Sequence, residues 1–397
     1  MSRKRSFYHL LLLCLFALSH PLQAQEPELE LWHSQQAGYV IDDVIARFNQ
    51  EGNHRVRVTQ IEPGKIKADL LLAAQARGLP DLMLIPSDFI GLYRQMTLAP
   101  LPAEWFSPSL MASALRYVTL DRQRWGMPMM QGNHLMLFYN KALVSTPVTQ
   151  WQQLTAITPT LKAKGVYPVS WPYHDMYYFA AFLHTFGGSP VTEGHITLDS
   201  PAMVQALEAY RTVGSEQWVD PECDDDTALA RFNEGKSAYL INGDWAFNDL
   251  VKNMGDKLGV ALLPRWQSHP MHSMSGAYVM GASRWAMDDE DRQPVIKALM
   301  AFIQRQDIQQ FIYHQGALLP VNQQAFTAIS RRPAPQEKVL LEQFTLSTPM
   351  PSDSAMSIAW QAMEKGFERF KEGISAADTA RYMQQLADQQ YRQVKAP

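Results

Sequence analysis

Polar and apolar residues alternate through ELELW (28–32), as in a half-buried strand, and Val40, Val44, Ile45 and Phe48 then recur at helical spacing over 39–48. Alternation returns in RVRVTQI (55–61), a helix is expected over 65–77, and the short apolar run Leu82–Ile85 is bounded by Pro80 and Pro86. Strand, helix, strand, helix, strand predicts the start of a doubly wound parallel sheet. Ligands of such sheets bind beyond the carboxyl ends of the strands. The turns after Trp32 and Ile85, which carry His33, Ser34, Ser87 and Asp88, are therefore candidate ligand loops.

The same grammar repeats further on. Leu135–Tyr139 reads as a strand, Thr149–Lys164 contains a helix that stops at Gly165, and Val166–Ser170 is a strand that runs into WPYHDMYYF (171–179). Helices are expected over 201–213 and at about 227–234, then strand Ser237–Ile241, which enters INGDWAF (241–247). A strand over 259–263, a loop over 264–274, a strand over 277–282 and a helix over 291–304 follow. Residues 306–393 read as helices broken around 315–321 and 347–353. No low-complexity linker separates the halves, so two lobes would be joined by several chain crossings.

A chain of 397 residues exceeds what one core usually serves, which favours two lobes of α/β type. The net charge of −4 leaves no basic footprint, so no nucleic acid is expected as a partner. Arg3, Lys4 and Arg5, the apolar run Leu10–Leu18, and Pro21 and Ala24 mark residues 1–24 as a secretory signal peptide, which implies a periplasmic protein. Leu12 and Leu13 before Cys14 are too large for a lipoprotein site, and Cys223 alone can form no internal disulfide.

Candidate chemistry narrows by elimination. GKS (235–237) lacks the glycine that a phosphate loop needs at position 230, which is Ala230, and reads as a turn. There is no HExxH, GxSxG or CxxC pattern, and of the histidines only His269 and His272 approach paired spacing, so neither a metal nor a cofactor is expected. Asp224–Asp226 reads as a solvated helix start. What stands out is the aromatic set: Trp245, Phe247, Tyr177, Tyr178 and Trp360 follow turns or begin helices near strand ends. Each ring alone is more readily a core anchor. Pyranose C–H faces, however, lie well on aromatic planes while their hydroxyls need polar partners, and Trp245 adjoins Asp244 and Asn242.

The segments LFYNKALV (137–144), LKAKG (161–165), ARFNEGKSAYLINGDWAF (230–247) and GVALLP (259–264), with the spacing from Met356 to Trp360, resemble the extracytoplasmic solute-binding proteins of sugar ABC importers, in particular the maltose-binding-protein-like members. The resemblance covers nearly all of the chain after residue 24. It implies a two-lobed periplasmic binding protein fold, each lobe a doubly wound sheet flanked by helices, with the ligand cleft at the hinge. The expected division is 25–132 plus 266–305 for one lobe and 133–265 plus 306–397 for the other.

By that resemblance Tyr177, Trp245 and Trp360 fall on sugar-stacking positions and Asp88 on a hydroxyl-binding carboxylate, with Phe247 packing beneath Trp245. Departures are as informative: His33-Ser34-Gln35-Gln36 replaces a charged loop, Ile85 a tryptophan and Phe89 an arginine, and Gln131-Gly132-Asn133 carries no glutamate. Three platforms survive and the hydroxyl-reading set does not, which points to a carbohydrate, a di- or oligosaccharide, without fixing which. The candidate binding set is Tyr177, Trp245, Trp360, Asp88, His33, Ser34, Gln131, Asn133, Asp244 and Gly276. The expected partners are a sugar and, transiently, the membrane permease of an ABC importer, with the protein acting as a monomer and not as an enzyme. Alternatives are a phosphorylated or otherwise charged solute, for which Lys65, Arg94 or Arg284 would have to serve, and reporting to a chemoreceptor or sensor kinase. A glycosidase would need a carboxylate pair flanking one bond, and Asp88 and Asp244 are expected on opposite lobes.

Overall fold

The computed structural model describes residues 27–52 and 54–395. The expected signal peptide, residues 1–24, lies outside them.

The first lobe follows the predicted grammar. Strand β1 (Glu28–His33), helix α1 (Gly38–Gly52), strand β2 (Arg55–Gln60), helix α2 (Ile66–Gln75) and strand β3 (Leu82–Pro86) form a parallel unit in which β1 pairs with both β2 and β3. Alternation buries Leu29 and Leu31 on one face of β1, against Val40, Val44 and Ile45 of α1. One strand escaped the hydrophobic pattern, β4 (Met127–Gly132), because Pro128 and Gly132 interrupt it; the register of its partner strand shifts at Pro128, where a missing N–H is tolerated.

The second lobe opens directly after this strand. It contains strands β5 (Leu135–Asn140) and β6 (Tyr167–Ser170), helices α3 (Met176–Thr185), α4 (Pro201–Ser215) and α5 (Asp225–Asn233), strand β7 (Ser237–Gly243), helix α6 (Phe247–Met254) and strand β8 (Leu258–Ala261). Its sheet runs β8-β5-β7-β6, with β7 parallel to β6 and antiparallel to β5. The chain then returns to the first sheet as β9 (Met274–Ala282), antiparallel to both β3 and β4.

Helix α7 (Gln306–Gly316) places Ile308 and Ile312 in the first core with Val40 and Val44, and Leu318 and Val321 join them. The expected division put 306–397 wholly with the second lobe; amphipathic spacing gives a helix its apolar face but not the sheet that face meets. Helix α8 (Pro335–Leu346) carries Leu340 into the second core beside Met136 and Phe138. The two-residue strand β10 (Thr348–Pro349) pairs back onto β9, and the chain ends in α9 (Ser354–Lys371) and α10 (Ala376–Lys395). The lobes are thus joined at several points.

Helix caps at the lobe junction explain why the rings stand where they do. The Asp175 carboxylate accepts from Tyr177 N at 2.8 Å and opens α3, which sets Tyr177 in the first turn. Asp353 accepts from Ala355 N at 2.8 Å and opens α9, on which Trp360 follows within two turns. Further along α9, Phe367 packs among Tyr173, Phe179 and Tyr210, with Tyr173 and Tyr210 stacked at 4.4 Å between ring centres. Truncation of a buried ring of this kind costs about 3–5 kcal/mol. Phe367→Ala is expected to lose that much in urea unfolding, and a loss below about 1 kcal/mol would mean that this cluster does not anchor α9.

Candidate functional site

The three rings expected to stack on a sugar meet at the lobe junction. Tyr177 stands between the tryptophans, its ring centre 6.2 Å from that of Trp245 and 6.3 Å from that of Trp360. All three are half-buried, whereas Phe247 is buried with Leu250 and Met254 in the core beneath. Beside them Gln35, Met130, Gln131, Asn133, Asp244, Trp245, Tyr278 and Leu318 line a hollow whose free space is about 10 Å³. That is about the volume a single water requires. The lobes are closed on one another.

The chain crossing forms the floor of this hollow. Gly132 and Asn133 both adopt positive φ, 120° and 48°. A side chain at Gly132 would place its Cβ 2.0 Å from Asp244 Oδ2, so only glycine lets that carboxylate approach. Asp244 Oδ2 accepts from Asn133 N at 3.0 Å, and the Tyr177 hydroxyl donates to the Asn133 carbonyl. Tyr177 is held strongly in its neutral form by desolvation, with Asp244 and Asp88 adding repulsion.

On the first lobe Asp88 is buried in the turn after β3, and Trp360 donates its indole N–H to it. Desolvation raises its pKa, opposed first by the charge of Lys67 on α2. Gly276 sits against Ser87 and close to Asn133 Nδ2. His33 is fully buried, its Nδ1 accepting from Gln35 N at 3.2 Å, and desolvation lowers its pKa; the neutral ring therefore keeps its proton on Nε2. Ser34 is buried in the same turn. Gln131 lines the hollow but donates to the Pro320 carbonyl at 2.8 Å, which commits its amide to the wall. Nine of the ten candidates thus cluster around the crossing or in the turns beside it, while His33 lies beneath them.

Sequence reasoning missed several neighbours. Tyr278 could have been found, since period two from Gly276 along β9 puts it on the same face. Lys67 carried no signal, and Gln35 and Gln36 stood out only as part of the uncharged loop, because their partners depend on how the lobes meet. Gln36 Nε2 donates to Asp225 Oδ2 at 3.1 Å across the cleft, so the acidic run at 224–226 is only partly solvated: Asp224 caps α5 as expected, but Asp225 reaches the opposite lobe and burial raises its pKa. Lys65 is paired with Glu62, Arg94 with Asp121, and neither they nor Arg284 lines the hollow.

With this geometry the comparisons become specific. A model of the family described as bacterial extracellular solute-binding proteins matches residues 43–339. The chain belongs to that family. This solute-binding protein is 22% identical over 353 residues to a maltodextrin-binding protein of Bacillus subtilis, covering 82% of this chain and 80% of that protein. It is 22% identical over 393 residues to a galactooligosaccharide-binding protein of the same organism, covering 93% and 90%. Among solved structures, the maltose/maltodextrin-binding domain MalE of Bdellovibrio bacteriovorus bound to maltotriose superposes with a TM-score of 0.84 at 23% identity, over 92% of this chain and all of that one. The two-lobed periplasmic binding protein fold is therefore established, and among the described residues no helix is long and apolar enough to cross a membrane.

Two outcomes follow. Gly132→Ala is expected to destabilise the protein by about 1–3 kcal/mol, through strain at positive φ and displacement of Asp244, read as a lowered thermal midpoint. Asp175 lies at the cleft lip, reached by solvent yet walled by protein, and that desolvation pushes its pKa from 3.8 to about 6, with Asp225 and Glu364 also raising it. The folded state then binds the proton more tightly than the unfolded state, so this group's contribution to stability falls as pH rises from about 4 to about 6. Melting curves over that range should fall more steeply for the wild type than for Asp175→Asn, which keeps the cap; parallel curves would contradict the assignment.

Proposed function

We propose that this protein binds a neutral di- or oligosaccharide between its lobes and delivers it to the permease of an ABC importer by hinge closure. The observation that carries this reading is the convergence of Tyr177, Trp245 and Trp360 on one junction, with Asp88 from one lobe and Asp244 from the other beside them. Flat rings suit pyranose faces, and carboxylates accept from hydroxyls without discriminating strongly among them. The names of the relatives, which refer to maltodextrin, galactooligosaccharide and maltotriose, point the same way. Closure leaves far less than the several hundred Å³ that a bound ligand occupies, so the sugar enters an open form and the lobes shut around it.

A phosphorylated or anionic solute is the weaker reading: no arginine or lysine lines the hollow, and the Asp244 carboxylate in its wall would repel such a ligand. Catalysis is also disfavoured, because both carboxylates are already engaged, Asp88 by Trp360 and Asp244 by the crossing. Residues 1–24 are read as the export signal of a periplasmic protein that acts as a monomer. We divide the lobes as 25–132 plus 266–305 and 133–265 plus 306–397, modified by the packing of Ile308, Ile312, Leu318 and Val321 in the first core and of Trp266 and Met271 in the second.

Calorimetric titration with maltotriose, a galactooligosaccharide and glucose 6-phosphate tests the reading. At least one neutral oligosaccharide should bind, and Trp245→Ala or Trp360→Ala should weaken it about 10- to 100-fold. Silence toward neutral sugars, or tighter binding of the phosphate, would overturn it.

A further inference from the structure

The first-lobe wall of the hollow includes a tyrosine whose hydroxyl has no partner in the protein. Tyr278 lies on β9 and lines the hollow opposite Trp245 and Asp244 of the second lobe. Its strand neighbours are Met130 of β4 and Pro86, the last residue of β3. The ring therefore stands at the carboxyl edge of the first sheet, where ligands of such sheets bind. The register of β9 against β4 shifts directly after it, between Tyr278 and Val279. Irregularities of this kind recur beside binding sites, where they re-aim a side chain.

The polar groups that share the hollow are already bonded within the protein. Gln131 donates to the Pro320 carbonyl at 2.8 Å, Gln35 Oε1 accepts from Gln36 N at 2.8 Å, and Asn133 Nδ2 donates to the Tyr177 hydroxyl at 3.4 Å. Asp244 accepts from Asn133 N at 3.0 Å. Tyr278 differs, since no group among the described residues hydrogen-bonds its hydroxyl. Desolvation holds this phenol in its neutral form, with Asp244 and Asp88 adding repulsion, so it keeps its proton and can donate. A polar group left unpaired in a poorly solvated site is costly, and a suitably placed partner removes that cost.

A sugar hydroxyl is such a partner, because it accepts and donates at once. Set between Tyr278 and either carboxylate, it accepts from the phenol and donates to the acid, and the bonds run in one direction. An acceptor-only anion would take the first bond but meet Asp88 and Asp244 as like charges.

We propose that Tyr278 is a specificity-determining residue, whose hydroxyl reads from the first lobe one hydroxyl of a sugar that lies against Trp245. The proposal rests on the sugar-binding reading and adds how that hydroxyl is recognised. Because β9 belongs to the first sheet and Trp245 to the second lobe, both contacts are made together only when the lobes are shut. A ligand draws closure through contacts that the open form lacks, so this bond contributes to closure as well as to affinity.

The test is calorimetric titration of the wild type and Tyr278→Phe, as full chains, with maltotriose and a galactooligosaccharide, alongside thermal unfolding of both without ligand. The sugar that the wild type binds more tightly should bind Tyr278→Phe about tenfold more weakly, the scale of one hydrogen bond. The thermal midpoint without ligand should stay unchanged, since no bond within the protein is lost. Equal affinity in the variant overturns the proposal and leaves the sugar reading standing. Weaker binding accompanied by a lowered midpoint makes Tyr278 part of the scaffold and overturns the proposal as well. Silence of the wild type toward both sugars overturns the sugar reading and this proposal with it. Should Tyr278→Phe fail to fold, a structure of the wild type with whichever of the two sugars binds decides: a sugar oxygen within about 3 Å of the Tyr278 hydroxyl supports the proposal, and none there overturns it.

Discussion

The arrangement of this molecule depends on one short contact, the Asn133 N–H donating to the Asp244 carboxylate across the place where the chain first passes between lobes. The donor belongs to the crossing and the acceptor to the turn that carries Trp245. Gly132 makes the approach sterically possible, because any Cβ there would occupy the space of the carboxylate oxygen. Tyr177 then closes the set by donating to the Asn133 carbonyl. Backbone, carboxylate and ring platforms thus form one unit, and a shift in the hinge is felt at the rings.

Electrostatics organise the same region. Each of the two carboxylates near the platforms has a basic group close by, Lys67 for Asp88 and His134 for Asp244. At Asp88 the charge of Lys67 offsets part of the desolvation that raises its pKa. Around the lip Asp175, Asp225 and Glu364 are likewise shifted upward chiefly by desolvation, with the charge of Lys67 again opposing the shift at Glu364. Bringing the lobes together therefore sets acidic groups near one another, and part of the attraction between rings and backbone offsets that repulsion.

Much of this was legible in the sequence, in a physically sensible order. Periodicity located β1, α1, β2, α2 and β3 to within a few residues, because each element buries one face and the spacing of apolar positions records it. The rings Tyr177, Trp245 and Trp360, singled out through motif resemblance, do lie together at the junction. What the chain could not reveal from local pattern was long-range partnership: that α7 turns its apolar face to the first sheet, that Gln36 meets Asp225, or that Lys67 stands near Asp88. Strand β4 was hidden for a different reason, since Pro128 and Gly132 erase the alternation that would announce it. His134 looked like one scattered histidine among eleven, and only its burial beside a carboxylate distinguishes it.

The several connections between the lobes carry a thermodynamic consequence. A single flexible tether would leave two bodies free to swivel and translate, and capture of a guest would have to suppress all of that freedom. With the chain passing between β4 and β5, between β8 and β9, and again between Val321 and Leu340, the relative movement reduces to little more than one angular coordinate. Little entropy is then forfeited on shutting, and most of what a guest gains from its contacts remains as tightness of grip.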